Sequence, residues 1–284
     1  ISLSKNSLNA ATSYLNSYQI LLEILCKRVI EDNWFPVVNR PGFHSIRPDS
    51  HNFLEDWIPF DYSNQSYEKK TDQPDLSGGR FGDWRRAPNS WRGYHPSHDD
   101  YQTEGNCRRT IFRCLNVGTR FNSLEIEHVE QAFAEAEKEG KSILSFANHD
   151  YRDMKEDIIN VKDLIKKTSK KFPKVNFKFS GAEQAAIDLI RPKPFVAPNL
   201  VLSLKDNVLE VTVNKGKIFG PQPFLALKDK NQNFYHDNFD LQTPSKHWTY
   251  TFDSQTLPLE NISKIGVGTA GFFGGSEVKV LEME

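Results

Sequence analysis

Long apolar runs are missing from this 284-residue chain. No stretch approaches the roughly 18 apolar residues that a membrane-spanning helix needs, so no span is expected. Cysteine is scarce: Cys26, Cys107 and Cys114 are too few for a disulfide scaffold, and Cys26 lies in an apolar helical stripe. Charge of one sign is lacking too. The formal net charge is −1, so a nucleic acid meets no global attraction. Glycine signatures of nucleotide binding are absent, because Gly78-Gly79 and the Gly266–Gly275 cluster lack a strand-to-helix context. No Gly-x-Ser-x-Gly elbow of a serine hydrolase occurs, and no internal repeat. The chain opens on Ile1 with no basic, apolar leader after it. The expectation is that the natural amino terminus lies upstream; compartment and oligomeric state are not given by the sequence.

What is present is ordinary globular composition, 38% hydrophobic and 26% charged, enough for one large domain or two smaller ones. Residues 12–31 predict a helix, with Tyr14, Tyr18, Leu21, Leu22, Leu25 and Val29 at three- and four-residue spacings. Residues 35–39 read as a short buried strand closed by the turn Arg40-Pro41-Gly42. A short helix over 53–57 and a strand ending at 58–63 follow. Residues 64–109 form a long aromatic- and arginine-rich excursion of loops, of a length that usually serves a site, and 110–117 form the next strand. A helix over 124–139 is capped by Ser123 and stopped by Gly140. Then come a strand over 142–147, a helix over 154–171, a strand over 175–179 and a helix over 182–190. The lysines Lys166, Lys167, Lys170 and Lys171 suit the carboxyl end of their helix.

After the proline-rich linker 191–199 the pattern changes. Short strands at 200–204, 208–213, 224–227, 248–252, 262–267 and 278–281, separated by turn residues, predict a small β-sandwich over 200–284. Residues 1–190 thus form one α/β domain and 200–284 a second, all-β one.

Residues 142–153 carry the densest chemistry. An apolar strand ends abruptly in Asn148, His149, Asp150, Arg152 and Asp153, and carboxyl ends of buried strands face ligand crevices in open α/β folds and barrels. His149 there is either a proton-transfer group or a polar surface residue in a helix-capping cluster. Two other strand ends are similar: Arg40 follows 36–39 and Asp61 closes 59–60. An arginine, a carboxylate and an imidazole at one mouth can fork a carboxylate, brace a partner and shuttle a proton; three salt-bridged turns are the alternative. His95 and His98, in His-Pro-Ser-His, are weak metal-ligand candidates because Pro96 removes helical spacing. His44 and His51 flank Asp49 and are equally open. The aromatics Trp84, Trp91 and Tyr94, interleaved with arginines, and Tyr151 beside His149 are candidate surfaces for sugar rings, or else simple loop anchors.

Taken together, Asn39-Arg40-Pro41-Gly42-Phe43, Pro59-Phe60-Asp61-Tyr62-Ser63 and Ile143-Leu-Ser-Phe-Ala-Asn-His149-Asp150 resemble the later motifs of the NodB-like polysaccharide deacetylases, over about residues 10–180. That resemblance implies a distorted (β/α) barrel, incomplete at its amino-terminal side, and hydrolysis of acetyl groups on a polysaccharide or glycoconjugate. By it, His149 is the general acid, Arg40 orients the catalytic carboxylate and Asp61 braces the site. It further implies a divalent metal, often zinc, whose Asp and two His ligands belong to motifs upstream of Ile1. The partner implied is an acetylated glycan, with the β domain positioning it or binding it. A catalytically inactive, carbohydrate-binding relative is the alternative, and a metal-free carbohydrate-modifying enzyme the third.

Overall fold

The computed structural model describes residues 18–68, 82–119, 121–190 and 195–283. Two compact units emerge. One comprises Val38–His51 and Phe60–Ile190; the other comprises Ile1–Val37, Asn52–Pro59 and Arg191–Glu284. The fold is mixed α/β: a curled four-stranded parallel sheet and two antiparallel sheets. Among the described residues no helix is long and apolar enough to cross a membrane.

The first unit is built on parallel strands β1 (Val38–Asn39), β2 (Phe60–Asn64), β3 (Thr110–Asn116) and β4 (Ser145–Ala147), in the order β1-β2-β3-β4. Asn39 pairs with Asp61, Asp61 with Ile111, and Asn116 with Ala147. The carboxyl ends of all four strands therefore lie along one rim. Helices α3 (Ile126–Glu139) and α4 (Lys155–Ser169) place Val129, Phe133, Val161 and Ile165 in one apolar cluster with Leu115 and Val117 of the β3 region. Sequence spacing anticipated both helices, since i, i+3 and i, i+4 residues share a face. The cap of α3 differs from expectation. His128 turns back to accept the backbone N–H of Glu125 through Nδ1 at 3.0 Å, while the Ser123 hydroxyl donates to the Thr119 carbonyl. Helix α5 (Ala182–Ile190) forms as expected. The strand expected at 175–179 does not: among the described residues no strand pairs with it, and Phe177 and Phe179 are exposed.

In the second unit, β5 (Asn199–Lys205), β6 (Val208–Lys215), β10 (His247–Thr251) and β9 (Asp240–Thr243) form one antiparallel sheet. Strands β12 (Ser276–Glu282), β11 (Ile262–Ala270), β7 (Phe224–Asp229) and β8 (Phe234–Asp237) form the other. Alternate residues of both, including Leu200, Leu209, Val211, Leu225, Leu227, Trp248, Ile265 and Val267, fill one shared core. Strands β8 and β9 had no sequence signal; β9 is exposed throughout, so it lacks the inward apolar alternation that marks a strand.

Helix α1 (Tyr18–Asp32) was expected within the α/β part, yet it belongs to this β unit. Its buried face, Leu25, Cys26, Val29 and Ile30, lies against β11 where two glycines leave room. A Cβ at Gly266 would stand 2.7 Å from Val29 Cγ1 and 2.8 Å from Ile30 Cγ1, and one at Gly268 would stand 2.7 Å from Phe35 Cδ2. The Cys26 thiol donates to the Tyr235 carbonyl at 3.2 Å, and burial pushes it up to about 12. Gly266→Val is accordingly expected to lower unfolding free energy by about 1–3 kcal/mol through overpacking, read from the urea midpoint. Of the predicted helix, residues 12–17 lie outside the described residues; so does 191–194 of the linker.

Candidate functional site

The rim of the parallel sheet collects the polar groups. Arg40 follows β1, and Pro41 then leads into a tight turn over Gly42–His44. Phe43 (φ 56°) and His44 (φ 50°) both adopt left-handed backbone, a conformation costing bulky residues about 1–3 kcal/mol each and concentrated at functional sites. Two contacts hold it. The Trp84 indole donates to the His44 carbonyl at 2.8 Å, and the Gly82 N–H donates to the Phe43 carbonyl at 3.1 Å. Only glycine fits at 82, because a Cβ there would meet the His44 carbonyl oxygen at 1.9 Å.

The turn drives the His44 ring inward, beneath the rim, where it is buried. Its Nδ1 lies 3.2 Å from the Ser63 carbonyl, and Arg40 Nη2 lies 2.9 Å from its Nε2. A carbonyl can only accept and a guanidinium can only donate, so these partners select the neutral Nδ1–H tautomer. Burial, followed by the Arg40 charge, pushes the His44 pKa down to about 3. Asn116 of β3 also approaches Nε2 through Oδ1 at 3.2 Å, while its Nδ2 donates to the Phe121 carbonyl at 2.9 Å. His149 follows β4, whose Ala147 pairs with this same Asn116.

A buried, neutral histidine has a defined signature in solution. Below the ordinary histidine value of 6.5 the unfolded chain takes up a proton that folded His44 refuses until about pH 3. Its stabilisation is therefore complete above pH 6.5 and declines as pH falls. At pH 5 the loss is about 2 kcal/mol. Urea unfolding at pH 7.5 and pH 5 should show a smaller acid-side loss in His44→Gln than in the wild type.

The candidates from sequence fare differently. Arg40 lies against His44, and His149 stands two residues past the end of β4 on the same rim. Arg40 is half-buried, its guanidinium rests on the Cys114 thiol, and its Nε finds no hydrogen-bond partner among the described residues. His149 is exposed and stacks on Tyr151 with ring centroids 5.4 Å apart. The loop that carries it is braced from below: Asn148 Nδ2 and Arg152 Nη2 both donate to Asp157 Oδ2, at 2.8 and 2.7 Å.

Asp61 requires a correction. It was read as the end of its strand, but β2 runs on to Asn64 with all five residues buried, polar ones included. Asp61 is 0% exposed. Its Oδ1 accepts from Asn39 Nδ2 at 3.2 Å and from the Ser63 hydroxyl, and Oδ2 faces Arg109 Nε at 3.4 Å. Burial raises its pKa, against the Arg109 guanidinium and the Ser63 and Asn39 hydrogen bonds. Arg109 is itself buried, and forks onto the His51 carbonyl and Nδ1, both at 2.8 Å. Asp61 thus supports the site from inside the sheet and does not face the rim solvent.

Three of the four aromatic candidates are likewise sealed in. Trp84, Trp91 and Tyr94 are buried. Arg113 stacks on Trp91 at 4.6 Å, and the Tyr94 hydroxyl donates to the Tyr101 carbonyl at 2.6 Å. These rings anchor the long loop with their faces buried, whereas Tyr151 is 78% exposed. The interleaved arginines do not share in this anchoring: Arg85, Arg86 and Arg92 are exposed and pair with Asp83, Asp100 and Glu139, whereas Arg113 of β3 donates to Ser66, Asn89, Gln131 and Glu68.

The weak metal candidates do not gather. His95 Nδ1 donates to the Arg109 carbonyl at 3.1 Å, whereas the exposed His98 pairs with Asp99 at 2.8 Å. Among the described residues no group of three or more His, Cys, Asp or Glu side chains could hold a metal ion. The donor set that a zinc-type site requires is thus not supplied by these residues, and no chemical step is routed through a metal below. No protein-family model, curated protein or solved structure matches this chain.

Proposed function

We propose that the rim of the parallel sheet is part of a hydrolytic centre that removes acetyl groups from a glycan, on the plan of a NodB-like distorted barrel. One observation carries the reading: Arg40 and His149, 109 positions apart in sequence, follow the carboxyl ends of β1 and β4 in one parallel sheet, where barrel and open-sheet enzymes place their chemistry. In this reading His149 gives the departing amine or hydroxyl its proton. By the family resemblance the Arg40 guanidinium orients a catalytic carboxylate, and no such carboxylate pairs with it among the described residues. Tyr151 offers its exposed face to the sugar ring, and Asp61 keeps β2 in place from within.

The test is acetate release from N- and O-acetylated oligosaccharides by the intact protein, with and without chelator. Acetate release is expected, and the chelator arm reads whether the metal that the family resemblance implies takes part. Chelator-insensitive release would remove the metal from the proposal, and no release from any acetylated glycan would remove the hydrolase itself. The reading as an inactive sugar-binding relative is the weaker one, because burial of Trp84, Trp91 and Tyr94 takes away its aromatic platform.

A further inference from the structure

We propose that His44 is the positioning residue of this site: a neutral imidazole whose Nε2 lone pair fixes the Arg40 guanidinium at the rim. What Arg40 then does there rests on the deacetylase reading; the hold on Arg40 does not. Three independent features support it. The Ser63 carbonyl and Arg40 Nη2, the latter the shorter contact at 2.9 Å, are both satisfied by an Nδ1–H ring, although Asn116 Oδ1, at 3.2 Å from Nε2, is an acceptor that this arrangement leaves unsatisfied. The backbone bends through two consecutive left-handed, non-glycine residues to put the ring there, and strain of this kind persists only where the surroundings over-determine it. Those surroundings are specific: Trp84 and Gly82 clamp the turn from the loop side. Among the described residues Arg40 has no carboxylate partner, so His44 is the group that sets its direction. A protonated ring would present a donor and a second positive charge to Arg40 at 2.9 Å, which is why this histidine serves as an acceptor and not as an acid.

Asparagine and glutamine separate the two ends of the ring. His44→Asn keeps an amide N–H for the Ser63 carbonyl but is too short to reach Arg40. His44→Gln places an acceptor oxygen where Nε2 stands. For acetate release we expect His44→Gln to retain at least about ten times the kcat of His44→Asn, with KM values within about threefold of each other. Melting temperatures of the two variants should agree. Equal kcat in both variants, or losses that follow melting temperature, would overturn the proposal. Should the wild-type protein release no acetate, the deacetylase reading falls and the hold is read separately by nitrogen NMR of the imidazole. A neutral Nδ1–H ring between pH 5 and 8, whose Nε2 resonance moves in Arg40→Met, supports it. A ring that titrates in that range, or an Nε2 resonance indifferent to Arg40→Met, refutes it.

Discussion

His149→Ala is expected to lower the rate of acetate release by about 10²–10⁴-fold, the usual contribution of a positioned general acid, while leaving the melting temperature nearly unchanged. Both halves follow from placement. The ring stands exposed at the end of β4, and its only described ring contact is the stack on Tyr151. Surface substitutions away from caps and networks typically move stability by about 0.5 kcal/mol or less. The bracing that orders its loop comes from Asn148, Arg152 and Asp157, and it survives the substitution. Calorimetry alongside the assay separates the outcomes. A fall in melting temperature of many degrees would make His149 a structural residue and would leave the rim without its acid.

Asp61→Ala should do the opposite. It removes the carboxylate facing a fully buried guanidinium and strips the partner from Asn39 and Ser63. Breaking a buried pair from one side costs about 3–5 kcal/mol, because the remaining charge has nowhere to go. Arg109→Ala should cost a similar amount, and the double variant less than the sum, since the two side chains interact directly. Urea unfolding of the three variants reads this. A loss below about 1 kcal/mol in Asp61→Ala would mean that the pair is not holding β2 to β3, and would return Asp61 to the list of rim residues.

Much of the frame was legible in the chain itself. The helices α3 and α4 announced themselves by apolar spacing, and Gly140 marked where the first must stop. His149 stood out because the apolar stretch before it ends so sharply. Arg40 stood out for its Pro-Gly neighbours. Other features were hidden for physical reasons. Strand β2 continues through Asp61-Tyr62-Ser63-Asn64, where Ser63 donates to Asp61 and Asn64 to the Pro88 carbonyl, so no apolar run reports the strand. Trp84, Trp91 and Tyr94 look like a surface because Arg85, Arg86 and Arg92 beside them in sequence are exposed; the rings themselves turn inward, Trp91 onto Arg113 of β3. His44 was ambiguous for a deeper reason. Its meaning depends on Ser63 and Asn116, which come beside it only when β2 and β3 align. Helix α1 joins strands about 200 positions later in sequence, as the contact from Cys26 to Tyr235 shows, and no local pattern carries that information.

The account depends on Arg40 and His149 working at one mouth. A double-mutant cycle on kcat/KM for acetate release, using Arg40→Met, His149→Ala and the pair, measures that directly. Groups that act as a unit lose function non-additively, so the double variant should be little worse than the poorer single one. Losses that simply multiply, or a wild-type protein that releases no acetate for either substitution to diminish, would contradict it.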